Sequence, residues 1–162
     1  MALTDPVALG AWLMPNDFEA TLGHRFTFRT DPGPGFDGIV HCEVLTLEPP
    51  RRMVWSWRGG PLDTTVHFTL SPVATESAAE STRLDFEQRG FEGPRGLAVS
   101  VILERGFGSM FGRLLPAVLD RLAAGEPPTL PPRPPPHPLA AAIEKAFASL
   151  FARRGSKNGD ER

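Results

Sequence analysis

The chain has 162 residues, of which 41% are hydrophobic and 22% charged, so it is long enough for one globular domain with its own core. Its 17 basic and 19 acidic residues give a net charge of −2, which excludes the basic surface that nucleic-acid binding requires. No run of about 18 apolar residues occurs, and no basic segment precedes an apolar one at the N-terminus. We therefore expect a cytoplasmic protein without stable membrane insertion.

The first half of the chain predicts a short helix followed by five strands. Thr4 or Asp5 can cap a helix that starts at Pro6 and ends before Pro15. Five segments then alternate apolar and polar residues, as strands with one buried face do, and short Gly-, Pro- or Ser-rich connections separate them. These segments are 22–30, 38–47, 52–58, 62–70 and 82–88. An antiparallel sheet is the simplest arrangement for them.

The next segment, 97–122, changes from strand to helix periodicity. Its large apolar residues form one stripe, which consists of Leu103, Phe107, Met110, Phe111, Leu114, Val118 and Leu122. We expect this stripe to face the sheet. Gly106, Gly108 and Gly112 each weaken the helix by about 1 kcal/mol relative to Ala and favour close packing, and Pro116 removes a helical hydrogen bond. The helix is therefore expected to bend.

Proline-rich sequence follows the domain. The composition divides the chain into a domain at 1–125, a Pro-rich linker at 126–138, an amphipathic helix at 139–154 and a disordered tail at 155–162. The helix would expose an apolar stripe if it had no neighbour. The tail is therefore expected to contact a partner protein or a second copy, which would give a homodimer.

Several motifs between Leu3 and Ala124 carry a family resemblance. They are Leu3-Thr4-Asp5-Pro6, Trp12-Leu13-Met14-Pro15-Asn16-Asp17-Phe18, Arg25-Phe26-Thr27-Phe28-Arg29, Glu48-Pro49-Pro50-Arg51-Arg52, Trp55-Ser56-Trp57, Thr82-Arg83-Leu84 and Gly90-Phe91. With this set the chain resembles the START-like (SRPBCC, helix-grip) superfamily, in the branch named after the activator of Hsp90 ATPase. The resemblance implies an α+β fold, in which a curved antiparallel β-sheet grips a long C-terminal α-helix over an apolar ligand cavity.

The same resemblance implies one more strand. Family members carry a strand before the Leu-Thr-Asp-Pro motif, whereas this sequence starts at Met1. We therefore expect that first strand to be missing and the strand at 82–88 to have an open edge. An upstream start codon, dimerisation, or pairing with the chain's own tail would each account for such an edge.

Twelve apolar residues are candidates for the lining of the cavity, because ligand pockets are mostly apolar. They are Phe26, Phe28, Val44, Trp55, Trp57, Val66, Phe68, Phe86, Phe107, Met110, Phe111 and Leu114. An ordinary place in a solid core is the alternative for each. The preferred function is non-enzymatic binding of a small hydrophobic or aromatic molecule. A cyclase- or hydrolase-like enzyme on the same scaffold, or a protein-interaction or Hsp90-activator-like regulatory module, are the alternatives.

The polar residues predict no catalytic or metal site. His41 and His67 are out of phase with the apolar positions of their strands, so both are expected to face solvent. The four histidines lack metal-ligand spacing and Cys42 is the single cysteine, so we expect neither a metal nor a cofactor. The glycine-rich run 106–112 lies inside a helix and does not fit a phosphate-binding or dinucleotide-binding loop.

Overall fold

A computed structural model of the protein describes residues 2–32, 36–60, 62–74 and 81–129. In chain order its elements are α1 (Pro6–Trp12), β1 (Arg25–Arg29), β2 (Ile39–Glu48), β3 (Arg52–Gly59), β4 (Leu62–Val73), β5 (Ser81–Arg89), α2 (Gly93–Ser109), a π-helical turn (Met110–Leu114) and α3 (Leu115–Ala123). The predicted α+β fold, an antiparallel sheet with a C-terminal helix, is confirmed. The predicted helix at 139–154, the tail at 155–162 and all but the start of the linker lie outside the described residues.

Helix α1 begins as its sequence predicts. The side chain of Asp5 accepts a hydrogen bond from the Ala8 N–H at 2.8 Å, and Pro6 occupies the first turn. At the other end of α1, the indole N–H of the buried Trp12 donates to the Ala2 carbonyl at 2.9 Å. The helix is therefore fixed at both ends.

The sheet has the strand order β1-β2-β3-β4-β5, and all neighbouring strands are antiparallel. Trp55 of β3 lies opposite Val66 of β4, and Val66 lies opposite Gln88 of β5, so these three residues form one row across the sheet. Strand β1 starts at Arg25 rather than at the predicted residue 22. The reason is that Gly23 has a φ of 79°, which is not an extended conformation, so the strand can begin only after it.

The C-terminal helix runs from 93 to 123 but is not regular throughout. One π-helical turn separates α2 from α3, and the Leu115 N–H donates to the Met110 carbonyl five residues back. Pro116 follows directly and has no N–H to donate to the preceding turn. The helix is therefore irregular next to Pro116, in the form of a π-helical turn, and the bend expected from the sequence stays a prediction.

The core lies between the sheet, α1 and the C-terminal helix. All seven residues of the predicted helical stripe are buried or half-buried in this cluster. The expected close packing at Gly106, Gly108 and Gly112 is wrong: a Cβ atom at any of the three positions would meet nothing within 4 Å. All three glycines are exposed, so the space beside each is open rather than filled by a neighbouring element.

Candidate functional site

An open groove of about 840 Å³ runs between β5 and the C-terminal helix, and we call it the β5 groove. Its lining residues come from β5 and the connection after it, from α2, and from the π-helical turn and α3. They are Leu84, Phe86, Glu87, Gln88, Phe91, Ser100, Leu103, Glu104, Phe107, Gly108, Phe111, Leu115, Pro116 and Leu119. Most of this surface is apolar or aromatic.

Three aromatic rings form the contact between the two walls of the groove. The ring of Phe86 on β5 lies 4.6 Å from that of Phe107 and 4.6 Å from that of Phe111, measured between ring centroids. The Phe107 ring also contacts Trp57 at 6.0 Å. Aromatic contacts of this kind stabilise a fixed geometry, so the strand and the helix are held together at the base of the groove.

Phe86, Phe107 and Phe111 are the members of the predicted cavity set that line the β5 groove. Seven others have at most 3% of their surface exposed and pack in the hydrophobic core, namely Phe26, Phe28, Val44, Trp55, Trp57, Val66 and Phe68. Met110 and Leu114 are half-buried against the same core and do not line this groove.

Phe18 explains why the groove lies at β5 rather than at the centre of the sheet. Its buried ring packs 4.9 Å from Phe26 and 5.3 Å from Trp55, in the loop between α1 and β1. Phe18 lies outside every helix and strand, so no periodic pattern in the sequence places it in the core. Because this ring covers β1 and β3, the unfilled part of the inner face is at β5.

Gln88 is the polar residue that sequence reasoning missed in the groove. It follows Leu84 and Phe86 at the two-residue spacing of a strand, so the alternation itself places an amide on the apolar face. Its Nε2 donates to the Thr64 hydroxyl at 2.8 Å, and that hydroxyl donates to the Trp57 carbonyl at 3.2 Å. The Gln88 Oε1 is buried and has no hydrogen-bond partner among the described residues.

The ionisable lining residues of the groove are both acidic. Glu104 is exposed on α2. The Glu87 carboxylate accepts a hydrogen bond from Arg89 at 2.6 Å, and this bond lowers the pKa of Glu87, so the group stays ionised at neutral pH. Ser100 uses its hydroxyl within its own helix, where it donates to the Leu97 carbonyl at 2.8 Å.

The other candidate polar groups lie away from the groove. His41 is exposed, and His67 is half-buried with a ring nitrogen 3.0 Å from the Thr65 hydroxyl. Burial lowers the pKa of His67 and raises that of the Cys42 thiol. In the described ranges, no three His, Cys, Asp or Glu side chains are grouped as metal ligands. The helices of those ranges are too short or too polar to cross a membrane.

Comparison with known proteins places the chain in a family. Residues 1–120 match the family model described as Activator of Hsp90 ATPase homolog 1-like protein. The solved structure of MLL2253 from Mesorhizobium loti is 36% identical, with a TM-score of 0.62, over 74% of this chain and 85% of that chain.

A second solved structure, of DynU16, a protein in the dynemicin biosynthetic locus, is 25% identical with a TM-score of 0.50. The similarity covers 85% of this chain but 51% of DynU16, so the chain spans about half of that protein's length. No curated protein matches the chain significantly. The match over 1–120 and the shared fold confirm the resemblance seen in the sequence: the chain belongs to the Activator of Hsp90 ATPase homolog 1-like family.

Proposed function

We propose that the protein binds a small hydrophobic molecule in the β5 groove and does not convert it chemically. The observation that carries this proposal is the size and lining of the groove. Its volume of about 840 Å³ lies within the range of about 300–1,000 Å³ that is usual for small-molecule sites, and its walls are mainly Phe and Leu with few polar groups.

Part of the apolar surface of the groove is open to solvent. Phe86 and Phe111 are half-buried, and Leu119 is 48% exposed, although all three line the groove. Covering apolar surface releases about 25 cal/mol per Å². An apolar ligand in the groove would therefore be stabilised by the same force that forms the core.

The chemistry of the groove supports binding rather than catalysis. Its buried polar group is the Gln88 amide, which neither gains nor loses a proton near neutral pH, so it cannot act as a general acid or base. The Glu87 carboxylate is engaged by Arg89. The similarity to DynU16, a protein in a biosynthetic locus, supports a small organic molecule as the ligand.

Filling the groove from Gly108 tests the proposal without removing any core side chain. Gly108 lines the groove, and a side chain there would meet no neighbouring atom at its Cβ. We expect Gly108→Leu to reduce the affinity for the neutral fluorescent probe phenylnaphthylamine by about tenfold or more. The Leu side chain would occupy apolar contacts that the probe otherwise makes, and contacts of this size are worth about 1.5–3 kcal/mol. Probe fluorescence in a titration measures the change.

Gly106→Leu is the matched control. Gly106 lies in the same helix with equally open space at its Cβ, but it does not line the groove. Both substitutions should raise helix stability by about 0.5–1 kcal/mol, because Gly is a poor helix former. A probe that binds the wild type and both variants equally, or binds none of them, would contradict the proposed function.

A further inference from the structure

The wall that the C-terminal helix contributes to the β5 groove is long and partly uncovered. It extends from Ser100 to Leu119, and a helical stretch of this length measures about 28 Å. Leu119 is 48% exposed, and Phe111 is half-buried although it lines the groove. The groove is therefore long enough to hold an apolar helical segment as well as a small molecule.

The C-terminal part of the chain, outside the described residues, contains a sequence that matches such a wall. Its large apolar residues recur at helical spacing and form one stripe, as a helix with one covered face requires. They are Leu139, Ile143, Phe147, Leu150 and Phe151. A helix over 139–151 would measure about 20 Å, which is shorter than the groove wall. Covering its stripe would remove apolar surface from water on both partners.

The charges of the two surfaces are opposite. Residues 1–129 contain 11 Lys or Arg and 16 Asp or Glu, an excess of negative charge, whereas 130–162 contain six Lys or Arg and three Asp or Glu. On the helix wall of the groove, Glu104 is exposed and has no ion-pair partner among the described residues. Arg153 and Arg154 follow directly after the apolar stripe. Attraction between unlike charges therefore favours contact of this segment with the groove.

The exit of the chain from α3 favours the groove of a second copy over its own. Arg121 follows Leu119 by two residues, which is about 200° around a helix, so it lies on the side of α3 away from the groove. Arg121 donates a hydrogen bond to the Pro127 carbonyl at 2.9 Å, so the linker starts on that far side. The eight prolines of 127–138 favour a stiff, extended spacer of about 37 Å. Such a spacer leads away from the groove of its own copy.

We infer that the segment 139–151 of one copy docks in the β5 groove of a second copy, with its apolar stripe against Phe111, Leu115 and Leu119. Because each copy has one such groove and one such segment, the exchange is reciprocal and closes as a two-fold dimer. The docking does not depend on the proposed ligand function. Since the segment and a small apolar molecule cover the same surface, each excludes the other, and a ligand of the groove releases the dimer.

Two exposed leucines of the C-terminal helix test the docking site in the full chain. Leu119 is 48% exposed and lines the groove, whereas Leu97 is 68% exposed and does not line it. We expect Leu119→Glu to raise the dissociation constant of the dimer by about tenfold or more, because a charge enters the apolar contact. Leu97→Glu is the matched control and should leave the constant within about twofold of the wild type. Sedimentation equilibrium measures both, and circular dichroism checks that both variants fold.

Competition with phenylnaphthylamine identifies the segment as the occupant of the groove. At concentrations where the wild type is dimeric, the full chain with Phe147→Glu should bind this probe about threefold more tightly or better, because its groove is no longer occupied. Ser149→Glu, which changes a residue outside the apolar stripe, should bind the probe as the wild type does. Saturating probe should also convert the wild-type dimer to monomers in light scattering.

The outcomes separate this docking from the proposed ligand function. A dimer that Leu119→Glu leaves intact, that Leu97→Glu weakens equally, or that persists with the probe bound would overturn docking in the groove. A wild type that is monomeric at every concentration would also overturn it, and stronger probe binding by Phe147→Glu would then place the segment in the groove of its own copy. If the probe binds neither the wild type nor Phe147→Glu, the ligand function fails, while the two leucine variants still decide the docking.

Discussion

At the scale of single residues, Asp17 attaches the loop after α1 to the sheet. One of its carboxylate oxygens accepts a hydrogen bond from the Thr27 N–H at 2.6 Å and another from the Thr27 hydroxyl at 3.0 Å. Thr27 lies between Phe26 and Phe28 on β1. The contact therefore holds Phe18, the neighbour of Asp17, against the aromatic core, and the bond from the Thr27 N–H lowers the pKa of Asp17.

We expect Asp17→Asn to destabilise the fold by about 0.5 kcal/mol at neutral pH, because a neutral amide oxygen is a weaker acceptor than a carboxylate and solvent screens the exposed Asp17. The pKa of Asp17 in the fold lies below its ordinary value of 3.8, so the stabilisation is present above that value and is lost as the pH falls through the lower, folded-state pKa. Urea denaturation at a series of pH values measures the difference.

Glu19→Gln is the control for this effect. Glu19 is nearby and its side chain is 72% exposed, so its substitution should change the free energy of unfolding little at any pH. If the free energies of unfolding of the wild type and of Asp17→Asn differ by the same amount at every pH, the charge of Asp17 has no role.

At the scale of elements, β5 is the edge strand beside the groove. It pairs with β4 over nine residue pairs and, within the described residues, with no strand on its other side. Its outer face carries the ion pairs Arg83–Asp85 and Arg89–Glu87, at 2.7 and 2.6 Å. Charged residues are common on edge strands and reduce non-specific pairing.

This position predicts a pattern of hydrogen exchange. Every second amide of β5 points away from β4, so those amides should exchange faster than the amides of β3, which is paired on both sides. Amide exchange followed by NMR at two protein concentrations tests this. Slow exchange at all β5 amides would contradict an open edge, and protection that increases with concentration would identify a second copy as the covering strand.

At the scale of the whole molecule, the described buried core reaches from Ala2 to Val118, and α3 ends soon after it. Gly125 adopts a φ of 72° after the helix, and the Glu126 N–H donates to the Arg121 carbonyl at 2.9 Å. Arg121 in turn donates to the Pro127 carbonyl at 2.9 Å. The helix end is therefore capped by residues at the start of the linker.

Deleting 130–162 should leave the midpoint of thermal unfolding almost unchanged, because the buried residues of the described core end at Val118. We propose that the apolar residues of 139–154 join two copies of the chain, so the shortened protein should be monomeric and the full chain dimeric in light scattering. These apolar residues are Leu139, Ile143, Phe147, Leu150 and Phe151. In the full chain, Phe147→Glu should also give a monomer, whereas Ser149→Glu, which is outside this set, should not. A large loss of stability, or the same association state in all forms, would contradict these expectations.

The secondary structure could be predicted because its causes are local. Asp5 and Pro6 are adjacent to the helix that they start, and the alternation of Trp55 and Trp57 requires only the two-residue period of a strand. The helical stripe from Leu103 to Leu122 likewise follows from 3.6 residues per turn. Each of these patterns is contained in a few consecutive residues.

The position of the groove, by contrast, depends on residues that are distant in the sequence. Periodicity determined that Trp55, Phe68 and Phe86 share a face, but the ring of Phe18 covers Trp55 while Phe86 borders open space. The hydrogen bond from Gln88 to the Thr64 hydroxyl depends in the same way on the pairing of β4 with β5, which brings these two residues together. The pattern of a strand specifies which of its faces is apolar. Only the packing of the other elements decides which part of that face stays unfilled, because filling a volume requires side chains from several segments at once.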